Sequence, residues 1–454
     1  MDSILKNLTI EDMKTDLMNS IDSYEENIIC LSKNILSEPE TGYREYKTSQ
    51  KVSTEFQRFN IQHETGLAIT GIRAVLDCGN PGPTIAVMGE LDSLMVPGHP
   101  YANPDTGAAH ACGHHCQIGS LVGVAIGLKE SGVLKSLSGR VIFLAVPAEE
   151  YIEIEFRDEL RRKGIIEFLG GKAEFIRLGI LDDVDIATMT HTNSYGQGGY
   201  DVSSMGMMGV GATNNGMIAK KIRFQGVASH AGGAPHEGVN ALNAANIALS
   251  AIHAQRETFQ EEENIRVHPI VTKGGASVSS VPADVRMETF VRGKTIEAIL
   301  SASEKVDRAI RAGAMAVGAK VSITTIPGYL PIRSDSALEH TYRSNAELLM
   351  GSECVFDMGH RSGSTDMGDV SHLIPAIHPY VSVATGKAHG DDYVIEDYKL
   401  GVSTSAKIMA ATIVDLLANG GLRAREIIDQ YSPSYTKNDY LSLLRNLAKE
   451  ETYK

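Results

Sequence analysis

The order of secondary structure predicted in the middle of the chain restricts its fold most narrowly. Strands are predicted at about 217–224, 265–271, 284–291 and 320–325, with helices at 240–255 and 296–317. This βαββαβ order is typical of a split βαβ, ferredoxin-like fold. Gly-rich stretches flank the segment, 206–216 before it and Pro327-Gly328 after it. We therefore predict a small α+β domain inserted into a larger one.

Outside this insertion, short apolar runs alternate with helical patterns. The runs that predict strands are 72–78, 84–88, 141–146, 184–189 and 380–384, and the patterns that predict helices include 118–130 and 403–417. Strands that alternate with helices favour an α/β domain with a mostly parallel sheet flanked by helices. We therefore predict that 1–212 and 328–454, the latter with a C-terminal helical tail, form one α/β domain around an inserted ferredoxin-like domain at 213–327.

Charge and cysteine content favour some cellular settings over others. The 454 residues include 42 basic and 56 acidic side chains, a formal net charge of -14, whereas a general nucleic-acid binder needs a basic patch. The five cysteines, an odd number, fit a reducing compartment better than a disulfide framework. The N-terminus lacks a signal-peptide pattern, and the apolar stretch at 118–128 is too short to cross a bilayer. We expect a soluble, cytoplasmic protein that binds neither nucleic acid nor membrane.

The segment His110-Ala111-Cys112-Gly113-His114-His115 contains candidate metal ligands. On an extended backbone, residues two apart point to the same side. Cys112 and His114 are therefore predicted to face one point while His115 points away, and a thiolate with an imidazole suits zinc and related metals. The alternative is that Cys112 is a buried apolar thiol and that His114 caps the following helix.

Further candidates lie just beyond the ends of predicted strands. They are Glu149 and Glu150 after 141–146, His191 after 184–189, and His389 after 380–384. Open α/β sheets bind ligands at the carboxyl ends of their strands. Adjacent carboxylates face different ways on an extended backbone, so one can bind metal while the other transfers a proton. An isolated Glu-Glu pair is usually a solvated loop, but several candidates that each end a strand predict a shared site.

Six motifs, several of which contain these residues, resemble those of the M20 metallopeptidase family. They are HACGHH, PAEE, THTNSYG, SHAGGAPHEGVNAL, STDMGD and GKAHG, which occur in the family's order across nearly the whole chain. Within the family, the chain resembles the amidohydrolases related to aminobenzoyl-glutamate and indole-acetyl-amino-acid hydrolases. The resemblance implies a catalytic domain in two parts, and a lid or dimerisation domain through which a homodimer forms.

The resemblance also implies a role for each motif residue. It implies that two divalent ions are coordinated by Cys112, His114, Glu150, His191 and His389, with Cys112 as the bridging ligand. Glu149 is implied as the general base, and Asp92 as a residue that orients a metal ligand. His230 is implied to stabilise the oxyanion in a neighbouring subunit, and Asn240 and Arg292 to contact a substrate carboxylate.

The implied activity is metal-dependent hydrolysis of an amide bond in an N-acyl-amino acid, aminoacyl conjugate or dipeptide, through metal-bound water. The implied ions are zinc or manganese, and cobalt is also compatible with such ligands. Two other classes stay open: a cysteine hydrolase with Cys112 as nucleophile, and a metal-stabilised binding protein without catalysis.

Three features depart from the family pattern. Glu90 stands where the wider family has a metal-binding histidine, and His115 stands where the branch has an aspartate, so the resemblance assigns neither residue to the metal. A charged segment at 151–177 replaces a short Gly-rich stretch. We favour a solvated amphipathic helix there over a loop that reshapes access to the substrate.

Overall fold

The computed structural model describes residues 8–195 and 207–454. Gly196, which ends the THTNSYG motif, and Gly206, which begins a Gly-rich flank, lie outside these ranges. Within them the α-helices are α1 (Ile10–Ser23), α2 (Glu25–Leu36), α3 (Tyr46–Arg58), α4 (His114–Glu130), α5 (Ile154–Arg162), α6 (Gly171–Leu178), α7 (Ala241–Ala254), α8 (Ile296–Val317), α9 (Ser336–Met350), α10 (Met367–Ser371), α11 (Ser405–Leu417), α12 (Leu422–Gln430) and α13 (Lys437–Leu447).

The strands of the same ranges fall into several sheets. They are β1 (His63–Leu67), β2 (Gly71–Asp77), β3 (Thr84–Glu90), β4 (Leu94–Met95), β5 (Ala108–Ala109), β6 (Arg140–Val146), β7 (Ile186–Thr188), β8 (His191–Ser194), β9 (Met208–Val210), β10 (Thr213–Asn214), β11 (Gly216–Gln225), β12 (Arg266–Val267), β13 (Ile270–Lys273), β14 (Asp284–Gly293), β15 (Lys320–Pro327), β16 (Val355–Asp357), β17 (His360–Arg361), β18 (Ala376–Ile377), β19 (Tyr380–Thr385), β20 (Val394–Ile395) and β21 (Lys449–Tyr453).

The first part of the chain is built on a six-stranded sheet in the order β1-β2-β6-β3-β7-β18. The pairings among β6, β3, β7 and β18 are parallel, whereas β1 and β2 add antiparallel pairings at one side. Every residue of β3 is buried, as expected of a parallel strand with both sheet faces covered. The predicted α/β class with a mostly parallel, helix-flanked sheet is confirmed.

One predicted strand of that sheet belongs elsewhere. β19, at the predicted 380–384, lies in a second sheet in the order β16-β9-β19-β20, where β8 pairs with β19 in parallel. The prediction placed all the apolar runs in one sheet because periodicity identifies strands but not their partners. The pairing places Tyr380 opposite His191, so the second sheet also contributes to the candidate site.

The inserted segment forms an antiparallel sheet in the order β12-β14-β11-β15, with β13 also paired to β14. This is the strand order of the ferredoxin-like fold. Burial alternates along β14, because one face of the sheet packs against α7 and α8. The two helices approach closely at Gly313, where a Cβ atom would lie 2.4 Å from the carbonyl oxygen of Ala244.

The C-terminal tail is helical only in part. After α12 and α13, the chain ends in β21, which pairs antiparallel with β15 of the inserted domain over five residue pairs. The sequence KEETY does not predict a strand by itself, because its charged side chains offer no buried face. The strand forms where the edge of β15 supplies unpaired backbone groups.

The helix at Lys399–Leu417 is long and apolar enough to cross a membrane by length and composition. It begins with a π-helical turn, Lys399–Thr404, and continues as α11. In this structure 83% of its apolar window is buried within the protein, and α1, α4 and α9 pack against α11. We therefore describe it as a core helix.

Candidate metal centre and substrate cavity

Cys112 and His114 are brought together by a turn and not by an extended strand. α4 begins at His114, and Gly113 before it has φ 85°, a left-handed conformation that favours glycine. A Cβ atom at Gly113 would lie 2.0 Å from the Thr192 hydroxyl oxygen. The side chains of Cys112 and His114 face one point, as predicted, but the prediction that the backbone between them is extended is wrong.

The five predicted metal ligands form two groups that share Cys112. In one, the donor atoms of Cys112, His114 and His191 lie within 4.8 Å of one another; in the other, those of Cys112, Glu150 and His389 do so. Cys112 Sγ lies 3.5 Å from His191 Nε2, and His389 Nε2 lies 3.5 Å from Glu150 Oε1. A thiolate common to two donor groups can contact two cations.

The two adjacent glutamates point to different parts of the site. Glu150 belongs to the group with His389, whereas Glu149 lies within 4.8 Å of His114 and Glu90 in a third group. Ala148, just before the pair, has φ 56°, and its backbone is held by Glu45, which accepts from the Ala148 N–H at 2.8 Å. This strained turn places both carboxylates beside His114, whose Nε2 is 3.9 Å from each.

Asp92 contacts one residue of each donor group, His114 and Glu150. His114 Nδ1 lies 2.9 Å from the Asp92 carbonyl oxygen and 3.3 Å from its Oδ1. Asp92 Oδ2 accepts a hydrogen bond from the Glu150 backbone N–H at 2.9 Å. These contacts hold the His114 ring with Nε2 directed at the donor groups, which is the usual effect of a partner on the second ring nitrogen.

The buried polar atoms of the site fit a cation. His114 Nε2 and Glu150 Oε1 are buried and have no hydrogen-bond partner in the described residues. Burial, followed by the neighbouring Glu90 and Glu150 carboxylates, holds the pKa of Glu149 well above its ordinary value. Buried polar atoms without a hydrogen-bond partner and carboxylates packed close together cost free energy unless a positive charge compensates them. Sulfur, imidazole and carboxylate donors together suit a transition-metal ion.

Glu90 is buried beside this site in an ion pair that the sequence did not predict. Lys172 Nζ donates to Glu90 Oε1 at 2.6 Å and also contacts Asp366, and all three side chains are fully buried. Glu90 Oε2 lies 3.1 Å from His114 Nε2 and accepts from Gln117 Nε2 at 2.9 Å. The GGK and STDMGD segments contain Lys172 and Asp366, but only the fold brings them to Glu90.

His115 lies away from the donor groups. Its Nε2 is 3.2 Å from the Tyr398 hydroxyl, and its ring lies 5.2 Å from that of His110. Burial, followed by the neighbouring His114 and His99 rings, lowers the pKa of His115 to about 3. His115 belongs to none of the groups of donor atoms found in the described residues.

A cavity of about 350 Å³ opens next to the donor groups. Its polar lining includes the predicted Cys112, Glu149, Glu150, His191, Arg292 and His389, together with Asn193, Asn214, Arg361, Ser364, His378 and Tyr380, which the sequence analysis did not identify. Arg292 Nη1 lies 3.4 Å from Ser364 Oγ. Burial lowers the pKa of the Arg292 guanidinium, and the Glu150 carboxylate opposes that shift.

His230 and Asn240 do not line this cavity. His230 is exposed, and its Nδ1 accepts hydrogen bonds from the backbone N–H groups of Gly232 and Gly233. Asn240 caps α7, because its Oδ1 accepts from the N–H groups of Leu242 and Asn243. Their roles in catalysis and substrate binding stay predictions that concern a second subunit.

The charged segment at 151–177 is not a single solvated helix, so the favoured interpretation is wrong. It contains α5 and all but the last residue of α6. Arg157 is fully buried and donates to the carbonyl oxygens of Ala148 and Leu169. Tyr151 and Ile152 line the cavity. The segment supports the strained turn before Glu149 and forms part of the cavity wall.

Comparisons with known proteins give a consistent picture. The family model described as the M20 peptidase dimerisation domain matches residues 212–316. The Xaa-Arg dipeptidase of Mus musculus is 28% identical over 434 residues, covering 90% of each chain. The indole-3-acetyl-aspartic acid hydrolase of Enterobacter agglomerans is 29% identical over 314 residues, covering 65% of this chain and 64% of its own.

Solved structures show the same fold. A dinuclear metal-binding peptidase of the M20 family from Bacillus subtilis superposes with a TM-score of 0.63 at 20% identity, covering 87% of this chain and 99% of its own. At this identity the likeness concerns the fold. The two-part sheet domain and the inserted domain thus occur together in a protein of known structure.

Proposed function

Because this chain is an enzyme of the M20 family of metallopeptidases and amidohydrolases, we propose that it hydrolyses an amide bond in a dipeptide or N-acyl-amino acid with two divalent metal ions. The observation that carries the proposal is the pair of donor groups that share Cys112, with the Glu149 carboxylate beside them. The cavity next to these groups, about 350 Å³, is within the usual range for small-molecule sites.

The proposed ligands are Cys112, His114, Glu150, His191 and His389. Divalent ions held by them supply Lewis acidity, which activates water and polarises the amide carbonyl. The mixture of sulfur, nitrogen and oxygen donors is compatible with zinc, manganese or cobalt. Asp92 keeps the His114 ring fixed, since its carbonyl oxygen and its Oδ1 both lie within 3.3 Å of His114 Nδ1.

Glu149 is the proposed general base. It lies in the cavity wall next to His114, where its carboxylate can accept a proton from a water molecule at the metal centre. In this role Glu149 takes a proton from the attacking water and delivers it to the nitrogen of the leaving amine. The Tyr329 hydroxyl donates to the Glu149 backbone carbonyl, which fixes the backbone at this position.

Arg292 is the proposed anchor for the substrate carboxylate. It extends from β14 of the inserted domain into the cavity, and a guanidinium matches a carboxylate with two parallel hydrogen bonds. The relatives are named for substrates of opposite charge, an arginine dipeptide and an aspartate conjugate. Their names therefore leave the released residue of this enzyme open.

A homodimer through the inserted domain completes the proposal. The dimerisation-domain match at 212–316 supports it. His230 also supports it, since this residue is exposed and does not line the cavity of its own chain. In the dimer, His230 of each subunit would donate to the developing oxyanion of the other. A cytoplasmic location and the absence of nucleic-acid or membrane partners are part of the same proposal.

The test is hydrolysis of a panel of dipeptides and N-acetyl-amino acids before chelation, after chelation, and after addition of zinc, manganese or cobalt. We expect activity to disappear on chelation and to return with at least one metal. A cysteine hydrolase is the main rival, since Cys112 Sγ lies 3.5 Å from His191 Nε2. Activity that survives complete metal removal would reject the metal mechanism in favour of that rival.

A further inference from the structure

The helix α5 has two neighbouring residues whose side chains contact different domains. Arg157 is fully buried, and its Nη1 donates to the carbonyl oxygens of Ala148 at 3.1 Å and Leu169 at 3.0 Å, both in the larger domain. The buried Asp158 carboxylate forms an ion pair with Lys221 Nζ on β11 of the inserted domain. One short helix therefore contacts both domains through adjacent residues.

On the side of the larger domain, Arg157 acts on the turn that carries Glu149. Ala148 immediately precedes Glu149 and has φ 56°, a left-handed conformation that costs free energy for a residue other than glycine. Arg157 Nη2 also lies 3.9 Å from Asp92 Oδ2, and the same oxygen accepts from the Glu150 backbone N–H at 2.9 Å. The rigid guanidinium thus holds the turn from which the Glu149 side chain projects.

On the side of the inserted domain, the same segment contacts the sheet face that does not pack against α7 and α8. Glu155 Oε1 lies 2.5 Å from Arg286 Nη1 on β14. The ring of Tyr151, just before α5, lies 6.0 Å from that of Phe290, and its hydroxyl donates to the Pro327 carbonyl oxygen at 2.6 Å. The segment therefore contacts β11, β14 and the end of β15.

Resting on the proposed function, we propose that α5 couples the inserted domain to the general base. Arg157 is the positioning residue for Glu149, and the ion pair between Asp158 and Lys221 is its link to the inserted domain. Because α5 is a single helix of nine residues, a shift of the inserted domain is transmitted to the turn at Ala148. The base is then correctly placed only while the inserted domain is seated against α5. The alternative is that α5 only stabilises the fold.

The first experiment breaks the link and leaves Arg157 in place. Lys221→Gln removes the cation that pairs with Asp158, whereas Lys221→Arg keeps it. In the metal-reconstituted enzyme we expect Lys221→Gln to lower kcat roughly 3- to 30-fold, the range for coupling through packed elements. KM should change less than kcat, metal content should not change, and Lys221→Arg should recover most of the wild-type kcat.

Lys273→Gln is the matched control for this loss. Lys273 also forms an ion pair with an aspartate, Asp284, but this pair lies within the inserted domain. The control should keep the wild-type kcat. An equal loss of kcat in Lys221→Gln and Lys273→Gln would overturn the link through Asp158.

The second experiment separates placement of the base from a general structural effect. In a Glu149→Gln background there is no base to position, so adding Lys221→Gln should lower the residual kcat no further. A structural effect on the metal centre would lower it again by the same factor. This difference distinguishes the proposal from the alternative.

Arg157→Lys tests the positioning residue itself. It should lower kcat at least as much as Lys221→Gln, since an ammonium group lacks the planar geometry of a guanidinium. Should this buried variant fail to fold, the Lys221 variants still decide. Wild-type kcat in Lys221→Gln, or a further loss by the same factor in the Glu149→Gln background, overturns this inference and leaves the proposed function intact. Absence of amide hydrolysis by the wild-type enzyme with any added metal overturns both.

Discussion

Lys172 is a buried cation beside the candidate metal centre. Its side chain is fully buried between the carboxylates of Glu90 and Asp366. Glu90 in turn lies 3.1 Å from His114 Nε2. Lys172 therefore compensates two buried acids, one of which lies against a proposed metal ligand.

We predict that Lys172→Met destabilises the protein by about 3–5 kcal/mol, because removing one partner of a buried ion pair leaves the other charge uncompensated. The measurement is the midpoint of thermal unfolding. Lys437→Met is the control, since its ion pair with Asp182 is partly exposed and such pairs contribute little. Equal midpoints for the two variants would show that Lys172 has no such role.

We predict that Glu149→Gln keeps its metal and loses roughly 10²–10⁴-fold in kcat, the usual contribution of a general base. The amide retains the shape of the carboxylate but accepts no proton from water. Metal content and kcat measured on the same preparation separate loss of the base from loss of the ions. Wild-type activity in this variant would refute the role.

At the residue scale, local sequence patterns identified the candidate ligands but not the residues that pack around them. Cys112 and His114 are close in sequence, and each of the other candidates ends a strand, so local patterns identify them. Lys172 and Arg361 could not be found in this way, because their partners are 82 and 168 residues away. Such pairs depend on which elements the fold brings together.

At the scale of elements, β21 connects the two domains. It is the last strand of the chain, it follows the final helix of the larger domain, and it pairs with the inserted domain. α13 packs on the larger domain through Tyr440 and Leu444, and β21 then pairs with β15 of the inserted domain. The Arg445 guanidinium makes two hydrogen bonds to Glu167, and the Ser322 and Thr452 hydroxyls are 2.8 Å apart. The tail thus fastens the inserted domain to the larger one.

We predict that truncation after Ala448 speeds amide hydrogen exchange in β15 and leaves β3 unchanged. Truncation exposes the edge of β15, whereas β3 is paired on both sides within the first sheet. Exchange reports local opening directly. Identical exchange in β15 with and without the tail would contradict this role.

The sequence predicted β2, β3 and β6 of the first sheet and the main elements of the inserted domain because their apolar patterns are strong. β14 alternates buried and partly buried residues as expected. β8 and β17 were missed because each is four residues long or shorter. A strand this short has too few residues to show an apolar pattern in the sequence, and its formation depends on neighbouring strands.

At the scale of the whole molecule, the proposed active site needs two chains. Four of the five proposed metal ligands line the described cavity together with Glu149 and Arg292, but His230 lies exposed elsewhere on the inserted domain. A site completed by a second subunit explains why a conspicuous histidine motif stands outside the cavity.

We predict that His230→Ala and Glu149→Gln complement each other. Each homodimer should lose about 10²-fold or more, as expected for loss of an oxyanion donor or a base. Hybrid dimers should regain activity, because one of their two sites combines an intact Glu149 with an intact His230. Absence of recovery, despite subunit exchange shown by mass spectrometry, would count against a shared site.

The central claim is that Cys112, His114, Glu150, His191 and His389 hold two cations, and the metal content of the purified, reconstituted chain tests it most directly. We predict two ions per chain in the wild type, and a marked loss in Cys112→Ala, whose thiol belongs to both donor groups. Cys116→Ala is the matched control, since this buried cysteine contacts Ser32 and no donor group. Equal metal content in the Cys112→Ala and Cys116→Ala variants would contradict the account.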